Sequence, residues 1–440
     1  MLQLGACSAL GLGLPHLSAA NTFAAERPAK TKSVLLLWLW GGPSHHETWD
    51  PKPNAPLRVR GSYNPISTAV PGTQISELLP MSASRTDKFT IIRSMAHDMS
   101  DHNQGGTVAL TGSKIGSRAS GGIPVPGRVR PSMGSLVSYL SRERTTDWPA
   151  FTAIGRNCNV SGADLRGQKA NALGAAHDPF RIEGFSFEKG VPTPAAIEPL
   201  GDIGTTRLTD RRRLLSEIDS WQRKLETSGQ VDRLDDLRRK AFGLLSDAGT
   251  KRALNIEEES DQLRDRYGRT VFGQNCLLGR RLVEGGVPFV QINWSGNAED
   301  EQQGGDGGWD LHYRLFERMQ DRYCPVFDRA FSTLLDDLED RGLLDSTLVL
   351  AMGEFGRSPK ISQIGGREHW PYGYSLVVAG GGTHGGTVVG ASTPDGGYPA
   401  SRPTHPVDLI ATVLELMGID REKLFEKDSA VLGSIIPELV

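Results

Sequence analysis

At 440 residues, with 38% hydrophobic and 23% charged side chains, the chain is globular in composition and long enough for one large α/β domain or two ordinary ones. Its formal charge is −3. With no basic excess to neutralise a polyphosphate backbone, nucleic acid is not an expected partner. After the N-terminal region no stretch reaches about 18 uncharged apolar residues, so no transmembrane span is expected.

Residues 1–25 stand apart from the rest. Leu2 to Leu17 carry almost no charge and are rich in Leu, Gly and Ala, and small residues follow at Ser18, Ala19, Ala20, Ala24 and Ala25. The pattern resembles the apolar and cleavage regions of an export signal that lacks its basic start, which points to a periplasmic or other extracytoplasmic location. If Cys7 leaves with that signal, Cys158, Cys276 and Cys324 remain, and at least one of them has no internal partner. Residues 26–440 are then the folded domain.

The elements follow in order. Ser33 to Trp40 is a continuous apolar run that stops at Gly41-Gly42-Pro43, as a buried strand does. Phe89 to Arg93 predicts a second strand, 131–141 a helix opened by Pro131, and 150–154 a third strand. From about 205 to 285 mixed charges recur at helical spacing, which predicts a charged helical excursion with solvated faces covering one side of the sheet. Val287 to Trp294 returns as a strand, 313–341 as one amphipathic helix, and Ser346 to Met352 and Tyr374 to Ala379 as strands. Val407 to Met417 is a last helix ending at Gly418. Strands alternating with helices predict an α/β fold with a largely parallel central sheet and helices on both faces.

In such sheets ligands bind at the carboxyl ends of strands, and here acids and histidines collect after the strands. His45, His46, Glu47 and Asp50 follow the first; His97, Asp98, Asp101 and His102 follow the second. Asp306, Asp310 and His312 follow the Val287–Trp294 run, and Glu354, Arg357, Arg367, Glu368 and His369 follow Ser346–Met352. These residue types suit zinc or another divalent transition metal. Asp310 and His312, two apart, would point to one side of an extended segment. Asp310, His312, Glu354 and His369 are the first candidate ligands, with His45 and Asp50 next. Arg357 is a candidate for holding an anionic ester oxygen in a bidentate contact. Trp38, Trp40 and Trp49 flank the first loop, either as packing or as a surface for a sugar, and Trp370 and Tyr372 adjoin His369.

The stretch Phe327 to Arg357 resembles the sulfatase and phosphatase element in which a helix and turn lead into a strand ending in a metal-binding pair. Here that pair is Glu354-Phe355, and Phe355 cannot be a ligand. Asp408 to Ile419 resembles the helix that follows the last strands in sulfatases. Asp101 to Gly112 is similar to the nucleophile segment of alkaline phosphatases, which implies catalytic positions at Asp101 and His102. His102 falls where the serine nucleophile would stand, leaving it as nucleophile, further ligand, or acid/base. The strings GGPSHHETWDPKP (41–53), SMAHDMSDHNQGGTVALTG (94–112), GGWDLH (307–312), GEFGRSP (353–359) and GREHWP (366–371) together resemble the DUF1501 family. That resemblance implies an alkaline phosphatase-like fold, a twin-arginine leader and export. No C/S-x-P-x-R sequence for formylglycine formation is present.

Two functions are therefore expected from different classes. One is an exported metal-dependent hydrolase of phosphate or sulfate esters, acting on a small anionic ester or a sulfated or phosphorylated glycan. The other is a non-catalytic scaffold of the same fold that binds glycans or cell-surface ligands.

Overall fold

The computed structural model describes residues 31–141, 148–160, 163–182, 248–294, 308–420 and 433–440. The leader at 1–25, residues 205–247 of the charged stretch, and Asp306 lie outside the described residues.

Eight strands form the central sheet: β1 (Ser33–Leu39), β2 (Phe89–Met95), β3 (Phe151–Ile154), β4 (Phe180–Ile182), β5 (Phe289–Trp294), β6 (Thr347–Met352), β7 (Tyr374–Gly380) and β8 (Val388–Val389). Their order is β8-β2-β7-β6-β1-β5-β3-β4. β1 pairs in parallel with both β6 and β5. β7 alone runs against its neighbours, β6 and β2. Central position explains why β1 is buried at every residue and apolar throughout. Its alternate side chains feed two cores. Leu35, Leu37 and Leu39 pack with α3 (Val271–Glu284) and α4 (Cys324–Asp340). Val34, Leu36 and Trp38 pack with α1 (His102–Thr111), α2 (Met133–Leu140) and α5 (Pro406–Leu416). The sheet is thus largely parallel with helices on both faces.

Two elements differ from the sequence expectation. The helix expected over 313–341 begins at Leu315, passes through a π turn at Met319–Tyr323, and becomes α4 only at Cys324. Pro325 has no N–H for the i−4 carbonyl, so the ladder loosens just ahead of it. The charged excursion is not solvated throughout: α3 lies against the sheet, and Arg280 on it is fully buried. Its guanidinium meets Glu259 at 2.5 Å and Asp337 at 2.8 Å. The charge pattern on α3 therefore reflects a buried ion network rather than a water-facing stripe. Cys158, Cys276 and Cys324 are free and buried.

The topology brings the site together. β1, β5 and β6 are adjacent and parallel, so the loops leaving Leu39, Trp294 and Met352 emerge side by side. β2 ends at the same edge, and β7 starts there, with Met95 opposite Tyr374. Between β6 and β7 the chain makes a short hairpin in which Arg357 pairs with His369. Its loop is locked by a bidentate ion pair from Arg367 to Glu47, at 2.6 Å and 3.1 Å, with both side chains buried. Breaking such a pair on one side costs about 3–5 kcal/mol, so the first and fourth loops hold their places mutually.

Candidate metal centre

Asp310 and His312 leave the chain in an alternation set by burial. Trp309 and Leu311 point into the core at 1% exposure each, which turns the two polar residues the other way together. Gly41 lies beneath them with φ +110°, and a Cβ there would collide with the Asp310 backbone nitrogen. Gly366 has the same relation to the His312 carbonyl. These glycines let three loops stack closely enough for their side chains to meet.

His102 Nε2 lies 3.1 Å from one carboxylate oxygen of Asp310. His312 Nε2 and His369 Nε2 lie 2.9 Å and 3.0 Å from the other. The two Nε2 atoms are themselves 2.9 Å apart. Behind each ring, Nδ1 has a partner that can only accept. For His102 it is the Glu354 carboxylate at 2.5 Å, for His312 the Glu368 carboxylate at 2.8 Å, and for His369 the Ser100 carbonyl at 2.8 Å. Each Nδ1 must therefore donate, and in the neutral ring each Nε2 presents a lone pair. Three neutral rings would turn lone pairs toward the Asp310 carboxylate, a repulsion that a metal ion, or a proton on His102, relieves.

The donor set fits a divalent ion. Nitrogen and carboxylate ligands bound about 2.0–2.2 Å from a tetrahedral zinc stand about 3.3 Å from one another, and the contacts of 2.9–3.1 Å between the rings and the two Asp310 oxygens, with 2.9 Å between His312 and His369, are of that order. A carboxylate or carbonyl behind each ring is the support that metal-bound histidines have. Within the described residues, the His/Asp group with metal-ligand proximity is His102, Asp310 and His369, with His312 beside it. Asp310 keeps 42% of its side-chain surface exposed, so the cluster opens to solvent. The opposite side is walled by Trp40, 5.3 Å from the His102 ring, and by Phe355, 5.1 Å from His102 and 4.6 Å from His369.

The electrostatics agree with a cation-seeking site. Burial disfavours a charged His102, but hydrogen bonds to Asp310 and Glu354 outweigh it and raise its pKa to about 9. Burial works against the Asp310 carboxylate, yet contacts with His102, His312 and His369, joined by Arg357, hold it well below the usual carboxylate range. Burial lowers His369.

A family model described as "Protein of unknown function (DUF1501)" matches residues 31–431. The chain belongs to the DUF1501 family. No curated protein matches this DUF1501 chain. Among solved structures it is similar to the lipoteichoic acid synthase LtaP from Listeria monocytogenes, at 12% identity over 93% of this chain and 76% of that chain, TM-score 0.41. It is similar to a protein in the alkaline phosphatase superfamily from Vibrio parahaemolyticus, at 12% identity over 94% and 72%, TM-score 0.41. It is similar also to a 2-O GAG sulfatase, at 12% identity over 92% and 73%, TM-score 0.42. Likeness at this level says nothing of what the DUF1501 chain acts on.

The other sequence candidates occupy different places. Glu354 stands one step back from the centre, fully buried, with its carboxylate taking the Gly41 amide at 2.9 Å as well as His102. Arg357 does not face solvent, where an ester oxygen would arrive. It is fully buried, and its guanidinium donates to the carbonyls of Gly41, Gly42, Trp309 and Arg367 and, at 2.6 Å, to Asp310. Asp101 caps α1, accepting from the Asn103 and Gln104 amides and, on its other oxygen, from Ser120. His45 and Asp50 lie outside the cluster. His45 Nε2 donates to the Gly396 carbonyl, and its neighbour His46 to that of Asp395. Burial lowers the His45 pKa to about 4. Asp50 binds Lys52 and Ser392. His97 donates to the Glu354 carbonyl at 2.7 Å and braces that strand end. Trp38, Trp40 and Trp49 are buried, which leaves no face for a sugar. Ser100 carries no signal in the sequence that separates it from an ordinary loop residue, and although Glu368 and Phe355 stand beside candidate ligands in the sequence, contact alone gives all three their roles.

Glu354 yields a direct test. In Glu354→Gln the oxygen that takes both the Gly41 amide and His102 Nδ1 remains, but it loses its negative charge, so the hydrogen bond that makes His102 a strong donor toward a metal is weakened. Zinc affinity, read by competition with a chromophoric chelator, is expected to fall about 10–100-fold. Unchanged affinity removes Glu354 from the support of the centre.

Proposed function

We propose that the protein is an exported metal-dependent hydrolase of phosphate or sulfate esters, with one divalent ion held by His102, Asp310, His312 and His369. The observation that carries this reading is the convergence of three Nε2 atoms, with tautomers fixed from behind, on one carboxylate. A bound ion there supplies Lewis acidity toward an ester oxygen and toward water. The chain's own residues do the rest. Glu354, Glu368 and the Ser100 carbonyl hold the three protons on Nδ1. Arg357 fixes Asp310 against the Gly41-Gly42 turn. Trp40 and Phe355 exclude water from the inner side and leave the Asp310 side for the substrate. Both ring nitrogens of His102 are engaged, which favours the ligand role over the nucleophile role. The convergence also supports the enzymatic reading over a non-catalytic scaffold. Export rests on residues 1–25; no described helix is long and apolar enough to cross a membrane.

Metal analysis of protein purified without chelators, followed by assays with aryl phosphate and aryl sulfate esters in several divalent ions, tests the proposal. Stoichiometric metal with turnover of one ester class is expected; substoichiometric metal without turnover overturns it. His102→Ala separates its roles. Loss of metal marks a ligand, whereas retained metal with lost activity marks a nucleophile.

Proton release gives a second expectation. Metal-free His102 holds its proton up to about pH 9, and the ion needs the same Nε2 lone pair. Metal therefore binds more tightly as pH rises toward about 9 and levels off above it. Zinc binding at about pH 8 should release about one proton, measurable as the buffer dependence of calorimetric heats. Heats independent of buffer ionisation contradict this arrangement.

A further inference from the structure

Between His102 and Ser141 the chain has no acidic residue, yet it carries Lys114, Arg118, Arg128 and Arg130. The loop following α1 is an ordered excursion. Gly116 and Val125 pair across it, the Ser117 carbonyl accepts from Val125, and Ser120 donates to Asp101, the residue before the ligand His102. Arg166 joins it from another segment by donating to the Gly116 carbonyl at 3.1 Å, while Gly167 packs on Thr107 of α1. The nearby acids are engaged: Asp98 with Lys114, Asp101 as a cap, and Asp178 with the Ala170 amide. Arg118, Arg128 and Arg166 are exposed and have no carboxylate partner among the described residues. Three unneutralised guanidiniums on a protein of net charge −3 are a local field, continuous with the helix that carries His102.

We infer that the 113–130 loop and Arg166 form a docking wall for an anionic polysaccharide, sulfated or phosphorylated, that leads its ester groups toward the cluster. Guanidinium forks match sulfate and phosphate oxygens, and several exposed ones gathered about Gly116 suit a repeating anion better than a single small ester. That the polymer is a substrate rests on the hydrolase reading; that it binds does not. Ile123, 89% exposed at the loop tip, raises the competing possibility of a lipid surface. One isoleucine buries little area, and contact with α1 favours the polymer.

The test uses the full chain and dextran sulfate, with neutral dextran as control and phosphatidylglycerol vesicles as the alternative. Binding to dextran sulfate that weakens with salt is expected. The triple variant Arg118→Ala, Arg128→Ala, Arg166→Ala should bind about tenfold more weakly, as three exposed ion contacts allow. The matching triple lysine variant, which keeps the charge but not the fork, should recover part of the affinity, and metal content should stay unchanged in both. Equal binding by the alanine variant overturns the inference. So does vesicle binding that exceeds polymer binding and is lost in Ile123→Ser. A protein that binds the polymer but hydrolyses no ester leaves the wall standing and removes the hydrolase reading instead.

Discussion

Asp310→Ala is expected to empty the metal centre. Metal content should fall from about one ion per chain to near zero. Any ester hydrolysis should fall about a thousandfold or more, as loss of Lewis-acid stabilisation worth several kcal/mol requires. Asp310 is the one group that touches His102, His312 and His369 together, and its carboxylate is the only anion among the converging atoms. Without it three histidine lone pairs face one another with no charge to draw a divalent ion. Elemental analysis and turnover on one preparation check this. Metal retained at wild-type stoichiometry would show that the histidines suffice and that Asp310 serves another purpose.

Arg357→Met should be the most damaging change to the fold of the site. The guanidinium is fully buried and gathers four backbone carbonyls from three separate loops, together with the Asp310 carboxylate. Methionine fills part of the volume but donates nothing, so those acceptors lose their common partner in a place water does not reach. A stability loss of about 3–5 kcal/mol is expected from denaturant unfolding, in line with removal of one member of a buried charge network. Metal affinity should fall with it, because Asp310 loses its 2.6 Å anchor. Wild-type stability with reduced substrate affinity alone would restore the ester-binding role that the sequence suggests for Arg357.

Much of the sheet was legible because its strands are short apolar runs, several of them bounded by glycine, and β1, β2, β3, β5, β6 and β7 sit close to where those runs lie. The reversed direction of β7 was not legible, since strand direction leaves no trace in hydrophobic pattern. At the centre, Asp310, His312 and His369 were candidates from residue type and position after strands. Asp50 and His45 had the same credentials and lie elsewhere. Residue type cannot tell a histidine that donates its Nε2 proton to a buried carbonyl, as His45 does, from one whose Nε2 lone pair is left free. Glu354 shows the same limit at closer range, since the difference between ligand and support is a single step through His102.

The alternation of strands and helices, the placement of acids and histidines at strand ends, and the resemblance to DUF1501 can all be read from the chain alone. Those are local properties, fixed by side-chain polarity and spacing along the chain. Which of these residues meet follows from how the strands and loops pack. Three adjacent parallel strands deliver Gly41, Asp310 and Glu354 to one edge, and a hairpin pinned by Arg367 and Glu47 brings His369 across to them. The candidate metal centre rests on His102, His312 and His369 being oriented by hydrogen bonds to residues far away in sequence. Such aim is set by packing rather than by sequence neighbours.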